Sequence, residues 1–273
     1  MFKFLETFVI VYETRSFSLA ADQLFITQPT VSNQIKQLEE QVGSDLFIRQ
    51  KKREVIPTKA ADVLYKGSNE LIDIWTEVGR DIDNIEGEQR RMVEFGISQT
   101  VSRVMFSKIM GNLENKYGSK NDFLVKVSNS DDVLYQLVNH KIDIGMIEKP
   151  LVTEGIKRIS VADDQLVRAG YQTGVWITRE SGSGIGYYTD QYLREESIQP
   201  KKIIQVNNSG LIKQLLADGV GESIISNQDI PKKVPTIEIG NHFSRSIYLI
   251  VRDSDYHDKK FAELVEEIVK TSN

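Results

Sequence analysis

Apolar residues recur every three or four positions along the first forty residues of the chain, and this spacing is typical of amphipathic helices. A first helix is predicted from the row Phe4, Leu5, Phe8, Val11 and Tyr12. A short second helix is predicted over Leu19–Leu24, because the preceding Ser16-Phe17-Ser18 offers a capping serine and the two alanines of the helix allow close packing. A third helix follows after a short turn, and two helices joined in this way predict a helix-turn-helix.

The third predicted helix begins after Thr27, tolerates Pro29 in its first turn and ends at Gly43, where a left-handed residue is commonly needed. Its apolar face is predicted to bury Val31, Ile35, Leu38 and Val42. Its polar face is predicted to expose Gln28, Thr30, Asn33, Gln34, Lys36 and Gln37. Amides and hydroxyls can read the edges of bases and a lysine suits a phosphate, although an ordinary polar helix surface looks similar.

Two short apolar segments, 46–48 and 55–56, flank the basic run Arg-Gln-Lys-Lys-Arg at 49–53 and predict a two-stranded wing beside the third helix. Four positive charges in five positions can contact phosphates, even though the whole chain carries a net charge of −5. A solvated turn is the alternative interpretation of this run.

A long helix is predicted from Thr58 onward, because the preceding Pro57 ends the wing strand. Two rows of residues repeat every seven positions along this helix: Leu64, Leu71, Val78 and Ile85, and Ala61, Ser68, Trp75 and Ile82. Sustained heptads favour a seam between two helices, and a helix-turn-helix usually reads two half-sites as a dimer. A single amphipathic helix that lies on its own domain is the alternative.

From about residue 89 strands alternate with helices, which predicts an α/β region with two sub-blocks. Strands are predicted over 93–97, 123–127, 142–147, 175–178, 203–206, 223–226 and 247–251, and helices over 101–117, 133–138, 187–195, 211–218 (capped by Ser209 and Gly219) and 261–269.

Ligands bind such sheets at the loops that follow the strands. These loops carry the candidate ligand-binding residues Ser98, Thr100, Ser128, Asn129, Glu148, Ser181, Ser183, Asn207 and Ser226. Beside helix N-termini, hydroxyls and amides suit a small anion, although each of them taken alone more commonly caps a helix.

Composition narrows the chemistry. The chain has 273 residues, enough for two domains. It has no cysteine and only three histidines, so disulfides and thiolate catalysis are excluded, and no metal or cofactor is expected. Its apolar runs are far shorter than the ~20 residues that span a bilayer, and its N-terminus has no cleavage site, so we expect a cytoplasmic protein without membrane contact.

The segment Phe17–Ser32, FSLAADQLFITQPTVS, resembles the winged helix-turn-helix of LysR-type transcriptional regulators, and the likeness continues through Gly43 and Leu46-Phe47-x-Arg49. It covers about sixty contiguous residues with matching internal spacing. The resemblance implies contacts with double-stranded DNA for Ser18, Gln28, Pro29, Thr30, Ser32, Asn33, Lys36, Arg49 and Arg53. Asn33 departs from the family, because many members carry a basic residue there.

The resemblance also implies a mixed α/β architecture. Residues 1–58 would form the winged helix-turn-helix, 59–88 a linker helix for dimerisation, and 89–273 a two-lobed effector-binding domain similar to periplasmic binding proteins. Lobe I is expected over about 89–167 and 252–273, and lobe II over about 168–251. The linker helices would pair through Leu64, Leu71, Trp75, Val78, Ile82 and Ile85.

The partners implied by the resemblance are promoter or operator DNA, a small-molecule effector held between the lobes, further copies of the chain in a homodimer or homotetramer, and RNA polymerase for an activator. One departure concerns lobe II. Residues 164–170 run almost directly into 174–177, where family members have some twenty residues, so an outer element of lobe II is expected to be missing.

Two other classes of function stay open from the residues alone. The run Gly182–Gly186 could cradle a phosphate in a nucleotide- or phosphate-dependent enzyme, but it lacks the spacing of the known phosphate-binding loops. A pure small-molecule binding protein would have no use for the first sixty residues. We therefore expect a regulator and not an enzyme, with a small anionic effector such as a carboxylate or an amino-acid derivative.

Overall fold

The computed structural model of the chain describes residues 2–49, 55–85 and 90–272. The chain divides into two compact units, Met1–Gln89 and Arg90–Asn273. No helix within the described ranges is long and apolar enough to cross a membrane.

The first unit is a winged helix-turn-helix followed by a long helix. Its elements are α1 Phe2–Thr14, α2 Phe17–Leu24, α3 Gln28–Val42, β1 Phe47–Arg49, β2 Val55–Pro57 and α4 Lys59–Ile85. The predicted capping is confirmed, because the Thr27 side chain accepts a hydrogen bond from the Thr30 N–H and Gly43 has a φ of 70°. The strands β1 and β2 pair antiparallel, as the wing prediction requires.

The core of the first unit is assembled from one face of each helix. Phe8, Val31 and Ile35 are fully buried, and the ring of Phe47 on the wing packs 5.6 Å from that of Phe8. The prediction that Val42 is buried is wrong, since this residue is 42% exposed in the last turn of α3. The helix leaves the core before it ends.

The second unit alternates strands and helices as predicted, with additional elements. Its elements are β3 Arg91–Ser98, α5 Gln99–Val104, α6 Phe106–Tyr117, β4 Asn121–Ser128, α7 Ser130–Val138, β5 Ile144–Ile147, β6 Ile156–Gly170, β7 Val175–Arg179, α8 Gly184–Glu195, β8 Lys202–Val206, α9 Ser209–Ala217, β9 Glu222–Ser226, β10 Thr236–Glu238, β11 Ser244–Arg252 and α10 Lys259–Ser272.

A single long strand, β6, joins two halves of this unit. The strands follow the order β4-β3-β5-β11-β6-β9-β7-β8, and β10 pairs with β6 beside that path. Residues 156–165 of β6 pair antiparallel with β11, whereas residues 166–170 pair antiparallel with β9. Each half has its own apolar clusters, around Phe95 and Leu249 in the first and around Trp176 and Ile177 in the second. The halves are called lobe I and lobe II below.

Several details differ from the predictions. The helix expected over 101–117 is two helices, α5 and α6, which meet at Met105, where the backbone leaves the helical region with a φ of −140°. The long extent of β6 and the short strand β10 were not anticipated. The N-cap of α9 is Asn208 and not Ser209, because its side chain accepts the hydrogen bond from the Leu211 N–H. Lobe II was predicted to extend to about residue 251, whereas residues 248–251 of β11 pair with β5 of lobe I.

Gly145 in β5 provides a test of the packing of lobe I. A Cβ at this position would stand 2.5 Å from Cγ1 of Ile250 and 3.0 Å from Cγ1 of Val133, both fully buried. Gly145→Ala should therefore lower the free energy of unfolding by about 1–3 kcal/mol through overpacking. Gly111→Ala in α6 is the matched control, because no atom lies within 4 Å of its added Cβ, and it should raise stability by about 0.5–1 kcal/mol. Thermal unfolding that moves in the same direction for both variants would contradict this packing.

Candidate nucleic-acid interface and ligand cleft

Helix α3 is held in place by polar contacts from its inner side. Gln34 is buried, and its Oε1 accepts a hydrogen bond from the Thr7 hydroxyl of α1 at 2.6 Å. Near the end of the helix, Glu39 Oε1 accepts from the backbone N–H of Leu46 at 2.8 Å and of Phe47 at 3.3 Å. The prediction that Gln34 belongs to the exposed face is thus wrong. These contacts fix α3 relative to α1 and to the wing.

The opposite face of α3 presents the predicted polar row. Gln28, Pro29, Asn33 and Lys36 are exposed, and Thr30 and Ser32 are half-buried. The Gln28 amide donates to the Ser32 hydroxyl at 2.7 Å, and the Thr30 hydroxyl lies 2.8 Å from that of Thr27. These bonds order the side chains of the first turns of α3.

The remaining predicted DNA contacts lie elsewhere in the first unit. Ser18 is exposed in the first turn of α2. Lys36 forms an exposed pair with Glu40 at 3.8 Å, and such a pair is weak enough for a phosphate to compete with it. Arg49 ends strand β1, and Arg53 lies outside the described residues.

Helix α4 has two different faces. Ala61 and Ser68 are fully buried, and Leu64 packs against the core of the first unit. Farther along, an apolar stripe is exposed, and its spacing of three and four residues places it on one side of the helix: Leu71, Ile74, Trp75 and Val78.

The predicted seam therefore divides. Leu64 belongs to the protomer's own core, whereas Leu71 and Val78 remain exposed. Trp75 stacks on Phe2 with ring centroids 4.8 Å apart but keeps more than half of its surface exposed. Ile74 also belongs to the exposed stripe, but it lies in neither of the two heptad rows and was therefore not predicted. Ile82 and Ile85 fall in the last turns of α4.

In the second unit, four of the predicted ligand-binding residues meet in one buried cluster between the lobes. Ser98 donates to Glu148 Oε1 at 2.5 Å, and its oxygen caps α5 through the Val101 N–H. Thr100 accepts from Arg245 Nη2 at 3.2 Å. Ser226, at the end of β9, donates to Asp164 Oδ1 at 2.5 Å.

An ion pair lies at the centre of this cluster, and the sequence pattern did not predict it. Arg245 of β11 donates from Nε and Nη2 to Asp164 Oδ2 of β6, at 2.9 and 2.8 Å, and both side chains are fully buried. Tyr188 lies close by, with its ring centroid 5.7 Å from the guanidinium carbon of Arg245. Burial raises the pKa of Tyr188 above its ordinary value, although the positive charge of Arg245 acts in the opposite direction.

The other predicted ligand-binding residues lie at the rim of the cleft or serve as helix caps. Asn129 caps α7 and Ser183 caps α8. Helix capping was the alternative to ligand binding for residues of this kind. The Ser128 hydroxyl accepts from Gln136 at 3.4 Å. Ser181 is exposed, and the backbone carbonyl of Asn207 accepts from the Gln99 amide at 2.8 Å.

Polar contacts between the lobes surround the cluster. Gln99 bridges from α5 to the start of α9, where its Oε1 accepts from the Ser209 N–H at 2.7 Å. Arg103 pairs with Asp229 at 2.9 Å. The Asp131 N–H donates to the Gly182 carbonyl at 3.1 Å. The two lobes are therefore closed on each other around the buried ions.

One carboxylate of lobe II has a lowered pKa. Glu180 receives two hydrogen bonds of 2.7 Å from the guanidinium of Arg179, which also donates to Ser209. Burial raises the pKa of Glu180, but these hydrogen bonds outweigh it and hold the pKa below its ordinary value. The region beside the cleft is accordingly rich in fixed charge. Within the described residues, no group of acidic or histidine side chains could hold a metal ion.

Comparison with known proteins agrees with this division of the chain. The model of the bacterial regulatory helix-turn-helix protein of the lysR family matches residues 2–62, and the model of the LysR substrate binding domain matches residues 86–272. The HTH-type transcriptional regulator CysL of Bacillus subtilis is 26% identical over 88% of this chain and 86% of its own. The transcriptional activator CmpR of Synechocystis is 26% identical over 81% of this chain and 77% of its own.

Solved structures share the fold. CbnR, a LysR family transcriptional regulator, aligns with a TM-score of 0.63 and 16% identity over 100% of this chain and 99% of its own. Full-length BenM aligns with a TM-score of 0.57 and 20% identity over 99% and 95% of the two chains. The substrate-domain match alone spans more than half of the sequence. The chain belongs to the LysR family of bacterial DNA-binding transcriptional regulators, which join a helix-turn-helix domain to an effector-binding domain and are not enzymes.

Proposed function

We propose that this regulator recognises its operator through the first turns of α3, where Gln28, Thr30 and Asn33 read base edges. Pro29, Ser32 and Ser18 would adjoin this surface, and Lys36, Arg49 and Arg53 would hold phosphates. The observation that carries the proposal is the ordered polar row on α3, on a helix that the buried Gln34 and the half-buried Glu39 anchor to α1 and to the wing. CbnR has been solved with its target DNA, which supports duplex DNA as the partner of this fold.

Two copies of the chain are proposed to pair through the exposed stripe of α4. Leu71, Ile74, Trp75 and Val78 form an apolar face that is left uncovered by the described part of the protomer. A second copy of the same stripe would cover it, and a dimer would present two copies of α3 to two half-sites. A homotetramer built from such dimers is the larger assembly we consider. If the protein is an activator, RNA polymerase would be a further partner. We expect a regulator of this kind to act in the cytoplasm.

The cleft between the lobes is proposed to bind the small-molecule effector. Ser98, Thr100, Glu148 and Ser226 would line its inner part. Ser128, Asn129, Ser181, Ser183 and Asn207 would complete its rim. The support is that Ser98, Thr100 and Ser226 converge on buried charges from both lobes, because a few convergent polar groups in a cleft mark a ligand site.

The base-reading role of Gln28 can be separated from general DNA affinity. Gln28→Ala should cost about 1–3 kcal/mol on the preferred operator and little on random duplex, because a base contact is lost. Lys36→Ala should weaken both duplexes alike and reduce the salt slope by about one. Anisotropy titrations with an operator selected from genomic fragments measure both effects. Gln41→Ala is the control, since Gln41 is also an exposed glutamine of α3 but lies in its last turn. Equal losses on both duplexes for Gln28→Ala would exclude base reading.

The pairing of α4 can be tested without disturbing the protomer. Leu71 and Val78 are 43% and 42% exposed, so Leu71→Asp or Val78→Asp leaves a carboxylate in water in the free chain but buries it unpaired in the dimer. Each variant should therefore sediment as a monomer at concentrations where the wild type is a dimer or larger. Val42→Asp is matched in exposure, at 42%, but lies off the stripe, and it should leave the assembly unchanged. Unchanged assembly of both stripe variants would show that α4 does not form the seam.

A further inference from the structure

The guanidinium of Arg245 is only partly satisfied by its neighbours. Its Nε and Nη2 donate to Asp164 and Thr100, and the side chain is fully buried. Its remaining nitrogen, Nη1, is buried and has no acceptor among the described residues. A buried polar group without a partner costs free energy, and a donor of a charged guanidinium costs more than a neutral one.

A buried carboxylate faces the same region. Glu148 is only 2% exposed and accepts hydrogen bonds from Ser98 and Ser130, both neutral hydroxyls. In the part of the chain that the structure describes, no cation forms an ion pair with it. Buried carboxylates ordinarily have a cation in direct contact, whereas the direct partners of Glu148 are hydroxyls.

Gly184 lies against both of these groups. It is the first residue of α8, and a Cβ on it would stand 3.1 Å from Glu148 Oε2 and 3.2 Å from Arg245 Nη1. An acceptor that lacks a cation and a donor that lacks an acceptor therefore face one small space. The backbone of α8 can approach both groups this closely because residue 184 has no side chain.

The balance of charge restricts what can bind there. The cluster contains two carboxylates, Asp164 and Glu148, and one guanidinium, so a simple anion would add a third negative charge to a buried site. Asp164 already neutralises Arg245. A ligand that complements both groups brings a positively charged donor to Glu148 and an acceptor to Arg245 Nη1.

We propose that the effector is a small zwitterion with a primary ammonium next to a carboxylate, whose ammonium binds Glu148 and whose carboxylate binds Nη1 of Arg245. This inference rests on the proposed role of the cleft as the effector site and specifies its chemistry. The space beside Gly184 is too small for the ligand in this structure, because even an added Cβ would stand closer to Glu148 and Arg245 than ordinary van der Waals contact. The lobes must therefore part to admit the ligand.

Matched probes test the two ends of the zwitterion separately. The full-length protein is mixed with each proteinogenic amino acid in a thermal-shift screen, and calorimetry follows for those that stabilise it. For each of these, the carboxylic acid that lacks the amine and the amine that lacks the carboxylate are titrated in parallel. At least one amino acid should bind, and both truncated analogues should bind at least about tenfold more weakly, because each leaves one buried charged group without its partner.

Two substitutions assign the site. Glu148→Gln keeps the size of the side chain but removes its charge, and it should weaken the amino acid at least about tenfold while leaving the affinity for the deaminated acid unchanged or higher. Gly184→Ala should also weaken binding, because its methyl group occupies the space between Glu148 and Arg245 without removing either charge. Glu154→Gln is the control, since Glu154 is an exposed carboxylate that follows the same strand, β5.

The outcomes separate this inference from the proposed function. Specific DNA binding without stabilisation by any amino acid would overturn the zwitterion and leave the DNA-binding role intact. Deaminated acids that bind as tightly as their parent amino acids, or unchanged binding in Glu148→Gln, would overturn the role of Glu148. If the wild-type protein shows no specific DNA binding, the proposed function is contradicted instead. The melting temperature of each ligand-free variant establishes that it is folded.

Discussion

The pairing register of β6 against β11 is the constraint on which the cleft depends. In this register Asp164 stands opposite Arg245, and two positions farther along β6 Leu166 stands opposite Ser226 of β9. Side chains alternate between the faces of a strand, so Asp164 is buried while Asp163 is exposed. A slip of one residue would turn Asp164 outward and leave Arg245 buried without a carboxylate. One strand pairing thus places the ion pair where the two lobes join.

Stability alone does not explain ions at this position. Buried ion pairs gain little over well-packed apolar residues of similar volume, because desolvation offsets their attraction. The hydrogen bonds of this cluster come from both lobes, since Thr100 follows β3 in lobe I and Ser226 ends β9 in lobe II. A ligand that changes these bonds also changes the contacts that close the cleft, such as the one between Gln99 and Ser209. Differential binding to open and closed lobes is the only way in which a ligand can shift their equilibrium.

The sequence predicted the features that depend on neighbouring residues, such as helix ends. It did not predict features that depend on residues distant in the chain, such as the burial of a polar side chain. Helix α3 follows from its cap at Thr27 and its end at Gly43, which are signals within the helix itself. The buried state of Gln34 depends on Thr7, which is 27 residues away, so a helical wheel cannot reveal it. The rule that ligands bind at the loops after strands selected Ser98, Thr100, Glu148 and Ser226. These four residues do lie together in the structure. Arg245 was missed because a charge in a strand ordinarily faces water, and its carboxylate partner lies 81 positions earlier in the chain.

Helix α4 shows why a heptad pattern alone cannot assign a seam. Its first turns repeat apolar residues because they complete the core of the winged domain, and its later turns repeat them while remaining exposed. Gly67 is half-buried and lies four residues before Leu71. A glycine inside a helix costs about 1 kcal/mol relative to alanine, yet among the described residues nothing lies within 4 Å of a Cβ added there. Packing inside the protomer therefore does not require this glycine. Close approach of a second helix along the stripe would require it, and this supports the proposed pairing of α4.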